Sequence, residues 1–288
     1  MTHDRREHLE KWEGTVETND ETQQRLSAIQ GFILKSTIPI LVERKEGKPD
    51  PVGTGTLLTI NGRHFIITAR HLFADDWSAL EHLAVPDALD GDTYTRILNL
   101  VCSTPKNGDV DIAILEVTNP ESVREIKANW NFLTLENVDV SASATNVWIV
   151  GYPGKNYSIV GKRLVAEPVT VLTERLRETP KAARQPVHQG LDLFYAYGKS
   201  AHLLGKGDAP TPELQGMSGT AIWDVSSQPH PGELWLPERF AKMIGVQVAF
   251  LHGDYARAKS WLAVARSLAK IDPELRAAVL QKTGVTAE

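Results

Sequence analysis

Between Ile38 and Val248 the apolar residues come in short runs, each closed by glycine, proline, asparagine or aspartate. Ile38–Val42, Gly55–Ile60, His64–Thr68, Ile97–Cys102 and Ile112–Val117 form an earlier group. Asn146–Val150, Val169–Leu172, Leu193–Tyr197, Thr220–Trp223 and Met243–Val248 form a later one. Runs this short, rich in β-branched residues and punctuated by turn formers, predict the strands of a sandwich or barrel. Asn61-Gly62 falls between two of them, and both residues tolerate positive φ, so a two-residue hairpin is expected there.

The two ends of the chain read differently. Residues 1–30 are polar and charge-rich, with Trp12, Leu26 and Ile29 as scattered apolar positions, and predict one or two surface helices outside the core. From Ala256 to Ile271 the apolar residues Trp261, Leu262, Ala265, Leu268 and Ala269 fall near a 3.6-residue period. Asp272-Pro273-Glu274 then supplies an N-cap, a proline suited to the first helical turn and an early acid, predicting a second helix to about Lys282. No internal repeat or low-complexity tract suggests a solenoid or propeller.

Composition changes the picture only by exclusion. The 288 residues are 42 % hydrophobic and 23 % charged, an ordinary globular balance. No apolar run approaches the roughly 18–20 residues that cross a bilayer. Thirty-six acids against 31 lysines and arginines give a net charge of −5, the wrong sign for gripping phosphate backbones, so no nucleic-acid partner is expected. The single cysteine, Cys102, permits no internal disulfide and reads as a small buried hydrophobe. The first residues carry no apolar signal segment, which points to the cytoplasm. No histidine pair has metal-ligand spacing: His64 and His71 are seven apart, and no cysteine stands near His82, His188, His202 or His252. Gly198-Lys199-Ser200 ends like a phosphate-binding loop, but Leu193 stands where its first glycine is required.

Three short segments carry candidate chemistry. In Ile66-Ile67-Thr68-Ala69-Arg70-His71 a β-branched strand runs into a histidine. In Gly108-Asp109-Val110-Asp111-Ile112-Ala113-Ile114-Leu115 acids precede an apolar strand, and Asp109 and Asp111, two apart, share a face of any extended segment. In Leu214-Gln215-Gly216-Met217-Ser218-Gly219-Thr220 glycines close to a serine remove side-chain bulk and allow backbone N–H groups to converge beside the hydroxyl. Each segment alone also fits a structural role: a surface histidine, a turn acid, a tight turn before a strand.

Taken together, threonine-alanine-x-histidine, aspartate-isoleucine-alanine-isoleucine-leucine and glycine-x-serine-glycine resemble the chymotrypsin-like (trypsin-fold) serine peptidases, in particular the bacterial kind without disulfides. The order His71, Asp111, Ser218 is the family's. The α/β-hydrolases run serine, acid, histidine and want a glycine where this chain has Thr220, while subtilisins run acid, histidine, serine. Val147-Trp148-Ile149-Val150-Gly151-Tyr152-Pro153-Gly154 and Ile244-Gly245-Val246-Gln247-Val248 resemble the family's strand opening the second barrel and its strand after the nucleophile, so the likeness spans about residues 36 to 251.

The resemblance implies an all-β fold of two antiparallel six-stranded β-barrels. The expected units are an N-terminal helical extension (1–30), a first barrel (31–135), a second barrel (136–251) and C-terminal helices (252–288). It implies a serine endopeptidase with catalytic His71, Asp111 and Ser218, an oxyanion hole from the N–H groups of Gly216 and Ser218, an acyl-enzyme intermediate, a polypeptide substrate, and no metal or organic cofactor. Gln215, Val248, Ala249 and Phe250 align with the substrate cleft, where a bulky Phe250 makes for a shallow pocket and a small or apolar residue before the cleaved bond. The chain departs from the animal enzymes in having Met217 where they place an aspartate, so their zymogen switch is not expected. It also has Thr220-Ala221 in place of the family's glycine-proline. Two other readings stay open: a catalytically silent scaffold that binds peptides or proteins, and an effector whose site is completed by a partner docking on the terminal helices.

Overall fold

In a computed structural model the described residues are 20–43, 49–88, 93–160, 163–203, 207–226 and 235–287. They form two curled antiparallel sheets with a few helices, consistent with a trypsin-like double barrel. The expected surface helices before residue 20 lie outside the described residues, as does part of the insertion 226–240.

The first sheet contains β1 (Thr37–Glu43), β2 (Pro49–Ile60), β3 (Arg63–Thr68), β4 (Leu83–Pro86), β5 (Tyr94–Arg96), β6 (Leu100–Ser103) and β7 (Ala113–Val117), in the order β5-β4-β1-β2-β3-β7-β6. That makes seven strands where six were expected, because the short polar β5 and its neighbour β4 extend one side. The run from Ile97 is also broken: Asn99 takes φ 54°, so the strand begins only at Leu100. The β2–β3 hairpin turns on Asn61 (φ 49°) and Gly62 (φ 79°), the left-handed pair its sequence calls for.

The second sheet contains β8 (Asn146–Gly151), β11 (Val169–Glu174), β12 (Asp192–Tyr197), β15 (Ala221–Asp224), β16 (Lys242–Leu251) and β17 (Asp254–Ser260), in the order β12-β17-β16-β15-β8-β11. Arg175, just past β11, bridges Tyr195 on β12 and draws the two ends of this six-strand course together. A further hairpin, β13 (Ser200–Leu203) with β14 (Gly207–Pro210), continues from β11, while β9 (Tyr157–Val160) and β10 (Arg163–Ala166) pair separately.

Alternation along the strands sorts most of the described buried apolar residues into three large cores, beside two small clusters at Leu41–Ala84 and Phe194–Tyr255. Ile38, Ile40, Ile66, Ala113 and Leu115 fill the first barrel, and Val147, Ile149, Ile222, Ile244 and Ala258 fill the second. Their opposite-facing neighbours Phe65, Ile67, Ile112, Ile114, Trp148, Val150, Trp223 and Val246 are also buried and form a third core outside both barrel interiors. Strands buried on both faces read as near-continuous apolar runs, as the sequence does.

Helix α1 (Asp20–Leu34) enters this third core. Ile29 and Ile33 are buried, Phe32 meets Trp223 edge-on, and Gln30 donates to Thr170 Oγ1 at 2.9 Å. Of the stretch expected to lie outside the core, Ile29 is buried and Leu26 packs against the core, while the helix enters it fully only at Ile33. After α2 (Pro120–Asn129) and the single turn α3 (Pro237–Phe240), the chain ends in α4 (Trp261–Leu268) and α5 (Pro273–Thr283). Only the second half of the expected helix from Ala256 is helical. Residues 254–260 form β17, since Ala256 and Ala258 face the barrel interior while Arg257 and Lys259 alternate to the other side. Asp272 caps α5 as expected, accepting from Leu275 N at 3.0 Å, and also binds Arg63 at 2.5 Å, tying the last helix to β3. Among the described residues no helix is long and apolar enough to cross a membrane.

Candidate active site

Strand β3 ends at Thr68, and the buried Ala69 leads into a single 3-10 turn over Arg70–Leu72. That turn ends the strand at the sheet's rim and leaves His71 exposed. Register does the rest. Thr68 lies opposite Ala113, so the chain past β3 runs beside the chain entering β7. There the Ile112 N–H bonds back to Val110 O at 2.8 Å, a tight turn centred on Asp111. Val110 and Ile112 are buried on either side, and the Asp111 carboxylate takes two bonds from one residue: the His71 main-chain N–H at 2.8 Å on Oδ1 and the ring Nδ1 at 2.6 Å on Oδ2. A carboxylate only accepts, so Nδ1 carries the ring proton and the lone pair of the neutral imidazole sits on Nε2. Asp109 does not share this role. Its own N–H is held by Asn107 Oδ1 at 3.0 Å, and its carboxylate lies 3.7 Å from His188 Nε2.

Ser218 sits in a loop that the second barrel holds at both ends. Leu214 and Met217 are fully buried, Met217 N donates to Leu214 O at 2.8 Å, and Gly154 N donates to Gln215 O at 2.7 Å. On the far side Gly219 N donates to Gln247 O, and Gln247 N to Thr220 O, both at 2.8 Å. Two glycines carry left-handed backbone: Gly216 at φ 89° and Gly219 at φ 94°. A Cβ at Gly219 would stand 2.1 Å from both Thr54 O and Thr68 Oγ1, and one at Gly216 would stand 2.5 Å from Gly154 N. With Met217, Gly219 and Thr220 N–H all engaged, those of Gly216 and Ser218 have no acceptor among the described residues.

The first barrel reaches across to this loop through Thr54 and Thr68, neither of which was assigned a role from the sequence. Thr54 N donates to Ser218 O at 2.9 Å and Thr54 Oγ1 to Gly216 O at 2.9 Å, while Thr68 Oγ1 donates to Thr54 O at 2.7 Å. Their only sequence signal is Thr68 at the head of the threonine-alanine-x-histidine run. A Cβ on Gly219 would also lie 3.0 Å from Ala69 N, two residues before His71. The serine loop and the histidine turn are therefore packed together. Among the described residues, no hydrogen bond joins the Ser218 hydroxyl to His71.

The four expected cleft residues divide. Gln215 is exposed, and Ala249 and Phe250 are half-buried near the end of β16. Val248 is buried in the third core, as the extra residue where the β16–β17 register slips between Gln247 and Ala249. Past Gln247, β16 pairs with β17 on one edge and has no strand on the other among the described residues. Phe250 packs edge-on against Tyr197 at 6.2 Å, and the Tyr197 hydroxyl is spent on Pro212 O. Among the described residues there is no group of three histidine, cysteine or acidic side chains able to hold a metal ion.

Solved structures align with most of this chain at low identity. The serine protease domain of the Sesbania mosaic virus polyprotein aligns over 80 % of this chain and 91 % of its own, at 14 % identity and a TM-score of 0.44. An HtrA-type protease studied with a tripeptide aligns over 83 % of this chain and 60 % of its own, at 13 % identity and a TM-score of 0.46. These are likenesses of fold, and the chemistry is read from the residues. No family model and no curated protein sequence matches the chain.

Proposed function

We propose that the chain is a serine endopeptidase in which His71, Asp111 and Ser218 form the catalytic set. The observation that carries this reading is the pair of hydrogen bonds that the Asp111 carboxylate accepts from the main chain and ring of His71, on a turn packed against a serine loop whose Gly216 and Ser218 N–H groups have no acceptor among the described residues. In this reading Nε2 of His71 takes the Ser218 proton as Oγ attacks the scissile carbonyl, and Asp111 holds the ring in the required tautomer and stabilises its charged form. The developing oxyanion is received by Gly216 and Ser218 N–H, where one donor is typically worth about 2.7–4 kcal/mol. His71 then returns its proton to the leaving amine, and water cleaves the acyl-enzyme by the reverse route. The Ser218–Nε2 bond is one the reaction requires, and such bonds commonly form or tighten only with substrate bound.

Past Gln247 the edge of β16 that carries no strand among the described residues suits an extended polypeptide added as a further strand. Phe250 against Tyr197 favours a small or apolar residue before the cleaved bond. The absent Ser218–His71 bond favours one second reading, a site completed when a partner protein docks. A fluorophosphonate probe tests both. It should label the purified chain but not Ser218→Ala or His71→Ala. Labelling only after cell extract is added would select the partner-gated reading, and no labelling of a folded chain under either condition would leave a binding scaffold.

A further inference from the structure

Two loops from different sheets meet beside the histidine turn, and the charges they carry have no part in the proposed chemistry. The first sheet supplies residues 104–111, the loop that ends in Asp111. The second supplies residues 176–191, whose His188 Nε2 stands 3.7 Å from Asp109 Oδ2. The main chain of this second loop is fixed to its own barrel: the carbonyls of Ala182, Arg184 and Pro186 accept from Tyr255 Oη and the Arg257 guanidinium, and His188 N–H donates to Asp192 at 2.7 Å. Ala183 is buried against Phe194 and Tyr255. The backbone is held, and the long side chains are left to solvent.

Most of those charged side chains are cations. Arg177, Lys181 and Arg184 are exposed on the second loop, and Lys106 is exposed on the first. Arg70, next to His71, is half-buried, with Nη1 3.0 Å from where a Cβ on Gly108 would stand, so the glycine leaves the room that the guanidinium occupies. None of the five has a hydrogen-bond or ion-pair partner among the described residues, and the buried Arg70 Nε has no acceptor either. A partly enclosed guanidinium ordinarily has a carboxylate or carbonyl to receive its donors. The acids on these loops do not balance them: Asp111 is spent on His71, Asp109 faces His188, and Glu178 alone remains. On the other side of β3 in the sheet order, the chain from His71 toward β4 and β5 has the opposite sign. Residues 71–95 contain six acids and no lysine or arginine, with Asp75, Asp76 and Glu81 exposed.

We infer that this basic seam between the two loops is a docking surface for an acidic stretch of polypeptide, which it holds beside the candidate site. Unpaired cations on a fixed backbone attract carboxylates without first giving up partners of their own, and the acidic flank beyond His71 orients the incoming chain by repulsion. A polypeptide fits better than a nucleic acid. The chain as a whole carries a net charge of −5, and a long polyphosphate would be repelled by that same flank, whereas the strandless edge of β16 suits an extended peptide. Binding at the seam needs no catalysis. Only the statement that the bound chain is a substrate rests on the peptidase reading.

The test is fluorescence anisotropy with the full chain carrying Ser218→Ala, so that no probe is consumed. One fluorescein-labelled peptide alternates glutamate with serine, and a second has glutamine at every glutamate. The acidic peptide should bind about tenfold more tightly at roughly 50 mM salt, and the advantage should shrink severalfold by about 300 mM. Replacing Lys106→Gln and Arg184→Gln together should remove most of that advantage, and Arg70→Gln should lower it further. Lys35→Gln with Lys270→Gln takes the same charge from exposed positions after α1 and α4 and should leave it intact. A preference lost in the seam pair and kept in the control pair supports the inference. No preference, equal loss in both pairs, or tighter binding of a single-stranded oligodeoxynucleotide of equal charge overturns it. Should Arg70→Gln fail to fold, the exposed pair decides alone. Fluorophosphonate labelling of the chain with Ser218 intact separates this from the peptidase reading: a chain that prefers the acidic peptide but is never labelled sinks the peptidase, and a labelled chain blind to peptide charge sinks the seam alone.

Discussion

Side chain meets side chain where the first sheet delivers His71. Where the second delivers Ser218, backbone meets backbone. The histidine and its acid belong to the rims of two paired strands, β3 and β7, and are joined by two bonds to a single carboxylate. The serine loop is held by main-chain bonds to Leu214, Gln247 and Gly154 within its own barrel, and by Thr54 across the seam. One half thus depends on the chemical identity of a few side chains, and the other on space for the chain to turn. Substitutions should separate the two accordingly.

Asp111→Asn should have the largest effect. An amide in place of the carboxylate cannot accept from both His71 groups in the same way, and favours the wrong ring tautomer. A loss of about 10⁴-fold in labelling rate is expected, the scale seen when a catalytic aspartate is replaced so. Asp109→Asn, only two residues away, should stay within about threefold, since Asp109 touches His188 and not His71. Equal losses in the two variants would dissolve the distinction between the halves.

Gly219→Ala should come next and act through stability. The added methyl would need space 2.1 Å from Thr54 O and Thr68 Oγ1, at a φ of 94° that side chains rarely adopt. Destabilisation of about 3–5 kcal/mol is expected in chemical denaturation, with labelling lost in the same samples. Gly62→Ala is the control. Its φ of 79° is similar but nothing stands within 4 Å, so about 1–2 kcal/mol from backbone strain alone should result. Thr54→Val is a milder probe of the same seam, removing the hydroxyl bond to Gly216 O while keeping the β-branched shape. About 1–2 kcal/mol of stability and roughly tenfold in labelling should go with it.

The side-chain half was far more legible in the sequence than the backbone half. His71 and Asp111 stand in short patterns whose residue types and order are distinctive, and Asn61-Gly62 announces its own hairpin, because these signals are local. Thr54 looks like any strand threonine. Nothing near it reveals that its hydroxyl will meet a carbonyl 162 residues away. Residues 254–260 misled for a related reason. Alanines alternating with arginine and lysine suit a helix by propensity, and only the partners Asp192 on β12 and the opposing strand β16 make burial of Arg257 and Lys259 tolerable in β17. The serine loop itself was anticipated through its glycines, yet which glycine faces which barrel depends on packing that no local window contains.

The smallest expected effect tests whether the histidine half has a nucleophile of its own. Cys102 lies on β6, beside β7, and the Arg70 cation next to His71 works to lower its thiol, a setting that elsewhere makes cysteines reactive. Burial is the larger influence and pushes the thiol up to about 11. At pH 8 the thiolate is then scarce, and alkylation of the folded chain by iodoacetamide should be about a hundredfold slower than that of a free cysteine, recovering in denaturant. Cys102→Ala should be labelled by the fluorophosphonate within twofold of the wild-type rate. A large loss in that variant, or rapid alkylation of the native thiol, would move the nucleophile into the first barrel and undo the division of labour between the two sheets.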